Sequence, residues 1–208
     1  MNAKLGVGVI GVGILGSRHA RVYQEQDATK LVAIAEADPQ KAPELGKKFN
    51  VRTFDDYRSM IGSIGPKGSG ELQAVSVATP DFAHFDIVKD CLQGGLDVFV
   101  EKPLTMNVEE ARSLVAIARE NSRVLMVNYS QRWLPEHRRV EELLRTGSLG
   151  QVSFIESHRW DAAWVPERMI SWGPKTTPIH FIFFPNIDLI TYWLDVKLES
   201  VQAMVQKG

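Results

Sequence analysis

Apolar and polar positions fall in alternating blocks along this chain. Six short runs are apolar: Leu5–Ile10, Leu31–Ala35, Val51–Phe54, Ala74–Ala78, Val98–Val100 and Val124–Val127. Between them, apolar residues recur at helical spacing near Ile14–Gln26, Gln40–Phe49, Asp55–Ile61, Phe82–Gln93 and Val108–Asn121. Runs that are apolar throughout predict strands covered on both faces, the condition of a parallel sheet. Their alternation with helices predicts a doubly wound α/β fold. Local signals agree. Asn107 is a candidate cap for the helix from Val108, and Glu109 and Glu110 suit that helix's positive end. Gly94-Gly95 can stop the preceding helix. The glycine-rich stretch Gly62–Gly70, with Pro66, predicts a surface loop.

The pattern changes towards the end. Pro135 suits the first position of a helix over Glu136–Thr146, with Gly147 as its stop. Gln151–Trp160 alternates in part and predicts a strand. A helix-like segment follows at Phe181–Leu194, then a second strand at Leu198–Val205. Two strands and a helix are too few for an independent core. This part is expected to be an incomplete α+β unit: either the chain is a fragment, or its sheet is completed by another chain. The exposed sheet edge predicts a homo-oligomer, with a second chain completing the sheet.

The first turn carries the most specific chemistry. Gly11-Val12-Gly13-Ile14-Leu15-Gly16 directly follows an apolar run and opens a helix. In a G-x-G-x-x-G turn the first glycine permits the bend. The second removes a side chain that would block a pyrophosphate, and the third lets helix and strand pack closely. The new helix then presents free N–H groups and the positive end of its dipole to the anion. Glu36 ends the second apolar run about 20 residues further on, where a ribose 2′-hydroxyl needs an acceptor. A carboxylate there repels a 2′-phosphate, so NAD is favoured over NADP. The expected organisation is a dinucleotide-binding domain over 1–128 and a partial substrate or oligomerisation domain over 129–208.

Composition narrows the partners. The 208 residues carry 24 lysines and arginines against 25 acids, a net charge of −1. That balance argues against general nucleic-acid binding, which needs a basic face. The single cysteine, Cys91, cannot form an internal disulfide, which suits a reducing cytoplasm. It lies in an apolar helical stretch and is expected to be an inert buried thiol. No secretory signal is visible. The most apolar late segment, Ile179–Leu194, is interrupted by Pro185, Asn186 and Asp188 and is short for a bilayer, so no membrane role is expected. No spacing of His, Cys or carboxylates suits a metal.

Several motifs together resemble the glucose–fructose oxidoreductase / inositol dehydrogenase (Gfo/Idh/MocA) family. They are Gly11–Gly16, Ala78-Thr79-Pro80-Asp81 with His84, Val100-Glu101-Lys102-Pro103-Leu104, Asn128-Tyr129-Ser130-Gln131-Arg132-Trp133 with Pro135, and Gly147-Ser148-Leu149-Gly150. The resemblance implies a Rossmann domain followed by an open-faced mixed sheet domain. It implies hydride transfer between a nicotinamide and a hydroxyl carbon of a sugar, polyol or cyclitol. Thr79 and Pro80 match the loop that lies along the cofactor, and His84 is a candidate to orient that loop or to approach the cofactor. Glu101 and Lys102 match the pair near the nicotinamide ribose and the substrate. Lys102 follows an apolar run, which places it at the carboxyl end of a strand, where such sheets bind ligands. Pro103 fixes its backbone, through a cis bond in this family.

The chain departs from the family in one place. Family members carry a catalytic histidine three residues before an aspartate, with another aspartate four residues earlier. Aligned on Asp188, these positions hold Pro185 and Phe181, neither of which can take a proton. His180 is the nearest substitute, but five residues on an α-helix turn it roughly 140° away from Pro185. Of the other histidines, His19 is read as structural or near the cofactor. His137 is read as solvated, and His158 as facing a cleft or water. Trp160, Trp164 and Trp172, with Arg159 and Arg168, could line a sugar pocket. Core packing or a partner interface is the competing reading. Three functions follow: an NAD(P)-dependent oxidoreductase using Lys102 or His180, a nucleotide-binding protein of the same fold without catalysis, and a purely structural subunit.

Overall fold

A computed structural model describes residues 3–160, 162, 164–165 and 179–204. Six strands form one parallel sheet: β1 (Leu5–Ile10), β2 (Thr29–Ala35), β3 (Arg52–Phe54), β4 (Ala74–Val77), β5 (Asp97–Glu101) and β6 (Leu125–Asn128). Their order is β3-β2-β1-β4-β5-β6, and every neighbouring pair is parallel. The chain leaves β1 in one direction and returns to β4 on the other side, so a switch point lies between these two strands. The connecting helices are α1 (Ile14–Glu25), α2 (Ala42–Phe49), α3 (Tyr57–Ile64), α4 (His84–Gln93) and α5 (Val108–Glu120). After β6 come α6 (Pro135–Arg145) and α7 (Phe184–Leu194).

Each face of the sheet buries its own core. Val9, Leu31 and Ile34 pack with Val12, Ala20 and Phe49 on one side. Val75, Val77, Val98 and Val100 pack with Ile87, Val88, Leu92 and Leu114 on the other. Two covered faces explain why these strands read as continuous apolar runs. The caps form as the sequence predicts: the Asn107 side chain accepts from the Glu109 and Glu110 amides at 2.8 and 3.4 Å. Gly95 takes a left-handed φ of 83° just past α4. Cys91 is fully buried, and burial pushes its thiol pKa up, as an inert thiol requires.

The structure corrects several sequence expectations. α3 begins at Tyr57, because the Asp56 carboxylate caps it by accepting from the Ser59 amide at 3.1 Å. It runs on to Ile64, since Met60 and Ile64 continue the buried stripe, so Gly62 is helical instead of looped. Residues 151–160 and 196–204 are not strands and have no ladder partner among the described residues. A strand is defined by hydrogen bonds to a neighbour, which partial alternation in sequence does not supply. Val205, at the end of the second expected strand, lies outside the described residues, as do Arg168 and Trp172. Trp160 is 88% exposed and stacks on His158, so it is not core.

The late helix starts differently too. Residues Ile179–Phe183 form wide π-type turns, and the α-helix begins only at Phe184. Pro185 gives the physical reason. It has no N–H for the Phe181 carbonyl, and its ring collides with that carbonyl in an ordinary α-turn. α7 is then tied to the rest of the chain by polar contacts. The Arg132 guanidinium donates through Nε to Asp188 Oδ2 at 2.7 Å and through Nη2 to Oδ1, a fork of the kind arginine makes with carboxylates. Tyr192 lies against the same guanidinium, 4.5 Å from ring centre to charge. His137, expected to be solvated, is instead half-covered by α7. Its Nδ1 lies 2.9 Å from the Gln131 carbonyl, and its ring meets Trp193 edge-on.

Candidate active site at the carboxyl edge of the sheet

The strand registers bring the predicted residues together. Ala35, Ile10, Val77, Val100 and Val127 form one row across β2, β1, β4, β5 and β6. The next residues along those strands are therefore level: Glu36, Gly11, Ala78, Glu101 and Asn128. The glycine turn, Glu36, the Thr79-Pro80 loop and Glu101-Lys102 thus share one edge of the sheet at its switch point, where open α/β sheets bind ligands.

The three glycines of the turn differ in their surroundings. Gly11 has φ of 79°, which strongly favours glycine. A Cβ on Gly16 would stand 1.9 Å from the Gly11 carbonyl oxygen, so only glycine lets α1 approach. A Cβ on Gly13 would meet nothing within 4 Å. Its position is held open, with Ile14 and Leu15 exposed beside it. α1 has no side-chain cap and no acid in its first turn, so its amides face that space without a competing anion. Across the turn, the Thr79 hydroxyl oxygen is buried and has no hydrogen-bond partner. An open cradle, uncapped amides and an orphaned hydroxyl fit a dinucleotide pyrophosphate.

Glu36 holds the far end. Its carboxylate accepts from the Val12 amide at 2.9 Å and from the Asp38 amide at 3.1 Å. These bonds fix it against the turn, and a carboxylate has lone pairs for about four donors, leaving room for a ribose hydroxyl. Lys41 pairs with Asp38 at 2.8 Å, so its charge is already matched.

His84 joins two of the loops. It is fully buried, with Nδ1 2.7 Å from the Pro103 carbonyl and Nε2 3.0 Å from the Thr79 carbonyl. These two contacts tie the Thr79 loop to the Pro103 bend. Burial lowers its pKa, against the two carbonyl contacts and the charges of Asp81 and Glu101. Pro80 opens the single 3-10 turn Asp81–Ala83 that leads into α4.

Lys102 follows the last residue of β5, and its peptide bond to Pro103 is cis. Burial lowers the Lys102 pKa. Glu101 and Asp81 oppose this, and Arg159 adds to it. Glu101 is buried in a network that the sequence reading did not find. Its Oε1 lies 3.1 Å from His19 Nε2 and accepts from Asn128 Nδ2 at 2.7 Å. Burial alone would raise the Glu101 pKa. The His19 and Asn128 hydrogen bonds, with the Lys102 charge, outweigh it and hold the group below its ordinary value. Asn128 stood inside a recognised motif and His19 on the first helix. Sheet register brings Asn128 to the carboxylate, and the packing of α1 brings His19.

His180 lies in the π-type turns, its ring edge-on to Phe184 at 5.2 Å. The segment that carries it is π-type over Ile179–Phe183, so the α-helical angle between His180 and Pro185 does not apply. His158 is exposed and pairs with Glu156 at 2.8 Å.

The Glu101 and His84 shifts give a stability prediction. Both folded-state pKa values lie below the ordinary ones. Each group therefore contributes stability above its ordinary pKa, about 6.5 for His and 4.3 for Glu. That contribution is lost as pH falls through the folded value. Melting temperature should decline from about pH 6.5 downward. Glu101→Gln should start lower at pH 7 and lose less between pH 5 and 3. Equal acid loss in both proteins, by scanning fluorimetry, would remove Glu101 from this account.

Comparison with known proteins agrees with this geometry. Residues 5–129 match the model of the Gfo/Idh/MocA family, described as an oxidoreductase family with an NAD-binding Rossmann fold. The chain is 28% identical over 200 residues to the inositol 2-dehydrogenase of Rubrobacter xylanophilus, covering 95% of this chain and 54% of that one. It shares its fold with scyllo-inositol dehydrogenase from Lactobacillus casei, solved with bound NAD(H) and scyllo-inositol. The TM-score is 0.81 at 20% identity, over 92% of this chain and 56% of that one. A 3-ketoreductase from Actinomadura kijaniata in complex with NADP has a TM-score of 0.63 at 28% identity, over 72% of this chain and 46% of that one. The chain spans about half the length of the curated relatives it matches. Among the described residues, no helix is long and apolar enough to cross a membrane.

Proposed function

Because the chain belongs to the Gfo/Idh/MocA oxidoreductase family, with its NAD-binding Rossmann fold, we propose that it is an NAD-dependent dehydrogenase acting on a sugar, polyol or cyclitol hydroxyl. The observation that carries this reading is the shared sheet edge: the open Gly13 cradle and Lys102 stand two strands apart at one level. The cofactor, when bound, supplies the hydride acceptor. The α1 amides hold the pyrophosphate, Glu36 accepts from the adenosine ribose, and Thr79 and Pro80 line the nicotinamide half. His84 keeps the Thr79 loop in register with Lys102.

Lys102 handles the proton. Its Nζ accepts the substrate O–H proton as the carbinol C–H leaves as hydride, and the product is a ketone. Burial favours the neutral amine that this step requires. His180 is the second candidate for the same proton. It is the histidine nearest to Pro185 in sequence, and His180→Ala separates the two. Relatives named for inositol and for glucoside oxidation support the substrate class. Glu36 favours NAD, since its charge and that of Asp38 outnumber Lys41 beside the 2′ position.

One observation favours a second reading. Pro185 stands at the family's histidine position, and the reading it supports is a nucleotide-binding protein that does not turn over. A panel of polyols, cyclitols and sugars with NAD, followed at the NADH absorbance, tests the choice. NADH formation with any of them supports catalysis, and NADH binding without turnover supports the alternative.

A further inference from the structure

His19 projects from the middle of α1, the helix whose first turn forms the cradle. It reaches across the sheet to groups on two other strands. Its Nδ1 lies 2.8 Å from the Ser76 hydroxyl on β4, and its Nε2 lies 3.1 Å from Glu101 Oε1 at the end of β5. Ser76 is fully buried, Glu101 is 7% exposed, and Phe99 packs beside the imidazole at 5.7 Å between ring centres. A carboxylate only accepts, so Nε2 must carry a proton for this contact to be a bond. In the neutral ring, Nδ1 is then left to accept from Ser76. The arrangement has one consistent direction, from the Ser76 hydroxyl through the imidazole to the carboxylate, and such chains polarise one another.

Glu101 is the residue before Lys102, and its charge opposes the effect of burial on that ammonium. We propose that His19 is a positioning residue: through its Nε2–H bond it fixes the Glu101 carboxylate behind Lys102, joining the cofactor helix to the proton-handling lysine without touching cofactor or substrate. The inference rests on the reading of Lys102 given above. The groups facing this pair are His19 from α1, Asn128 from β6, Asp81 and His84 from the loop before α4 and from α4, and Arg159 from the later chain. Of these, His19 is the one that projects from the helix carrying the cradle.

The test reads Lys102 directly and needs no substrate. Competitive acetylation of the whole protein, followed by mass spectrometry across pH, reports the titration of Lys102. Without the His19 donor, the Glu101 carboxylate is no longer held behind Lys102, and the ammonium loses part of that nearby opposite charge. His19→Leu should therefore move the Lys102 titration to lower pH by about one unit, a tenfold loss in proton affinity. His19→Gln, whose amide can donate from nearly the same place, should restore it. NADH affinity should stay near wild type in both. Wild-type titration in His19→Leu, or equal shifts in both variants, would overturn the proposal. A measurement on the unmodified protein guards against a variant that fails to fold: ¹⁵N spectra of the imidazole should show Nε2 protonated. A proton on Nδ1 alone would overturn the proposal as well. Absence of turnover on every polyol would defeat the dehydrogenase reading while leaving these results to stand or fall separately.

Discussion

Lys102→Met should abolish most turnover while leaving NADH binding within about threefold of wild type. A positioned proton carrier is worth roughly 10²–10⁴-fold in rate, and the loss should fall in that range. Methionine keeps the length and the apolar stem, so the loop and its cis peptide keep their packing. The effect should fall on kcat more than on KM, since a proton carrier acts mainly in the transition state. The pH profile supplies a second sign. Burial lowers the Lys102 pKa, so in the wild type the limb for loss of activity on acidification should belong to this lysine. That limb should vanish from any residual activity of the variant. Turnover within a few-fold of wild type would move the proton to another group. His180 is then the group to replace, as the histidine nearest to Pro185 in sequence.

Two glycines three residues apart should respond in opposite ways. Gly16→Ala places a methyl 1.9 Å from a backbone oxygen that cannot move without shifting β1 or α1. Overpacking of this kind costs about 1–3 kcal/mol, or ~2–10 °C of melting temperature in a chain of this size. The Cβ of Gly13→Asp meets no atom within 4 Å. Its carboxylate can cap α1 and face the helix's positive end, so the melting temperature without cofactor should hold or rise by a few degrees. That same carboxylate occupies the amides that a pyrophosphate needs and repels it. NADH affinity should fall by roughly 100-fold or more. A stable Gly13→Asp protein that binds NADH normally would place the cofactor elsewhere.

The parallel sheet was legible in the sequence because both of its faces are buried, so each strand appears as an apolar run. The glycine turn was legible because a left-handed φ at Gly11 and a close backbone approach at Gly16 call for glycine, with a third glycine between them at the spacing of a phosphate turn. The register row from Glu36 to Asn128 was implied by these two features together. What escaped were contacts between distant elements. Nothing in the local sequence distinguishes His19 from a solvent histidine on a helix, because its meaning lies in Ser76 and Glu101 on two strands. The same holds for Arg132 and Asp188, which are 56 residues apart. The two late strands were misread because partial alternation was taken for pairing. The π-type turns escaped because Pro185 was read for its missing proton and not for its missing N–H. The Glu101 network and the fork to α7 are both long-range polar contacts, which periodicity cannot encode.

The central claim is that the turn at Gly11–Gly16 holds a dinucleotide whose ribose faces Glu36. Parallel fluorescence titration of the protein with NADH and NADPH tests it most directly. The account predicts saturable binding of NADH at one site per chain, with NADPH at least about tenfold weaker, as a like charge beside the 2′-phosphate requires. Binding of neither coenzyme, or tighter binding of NADPH, would contradict it.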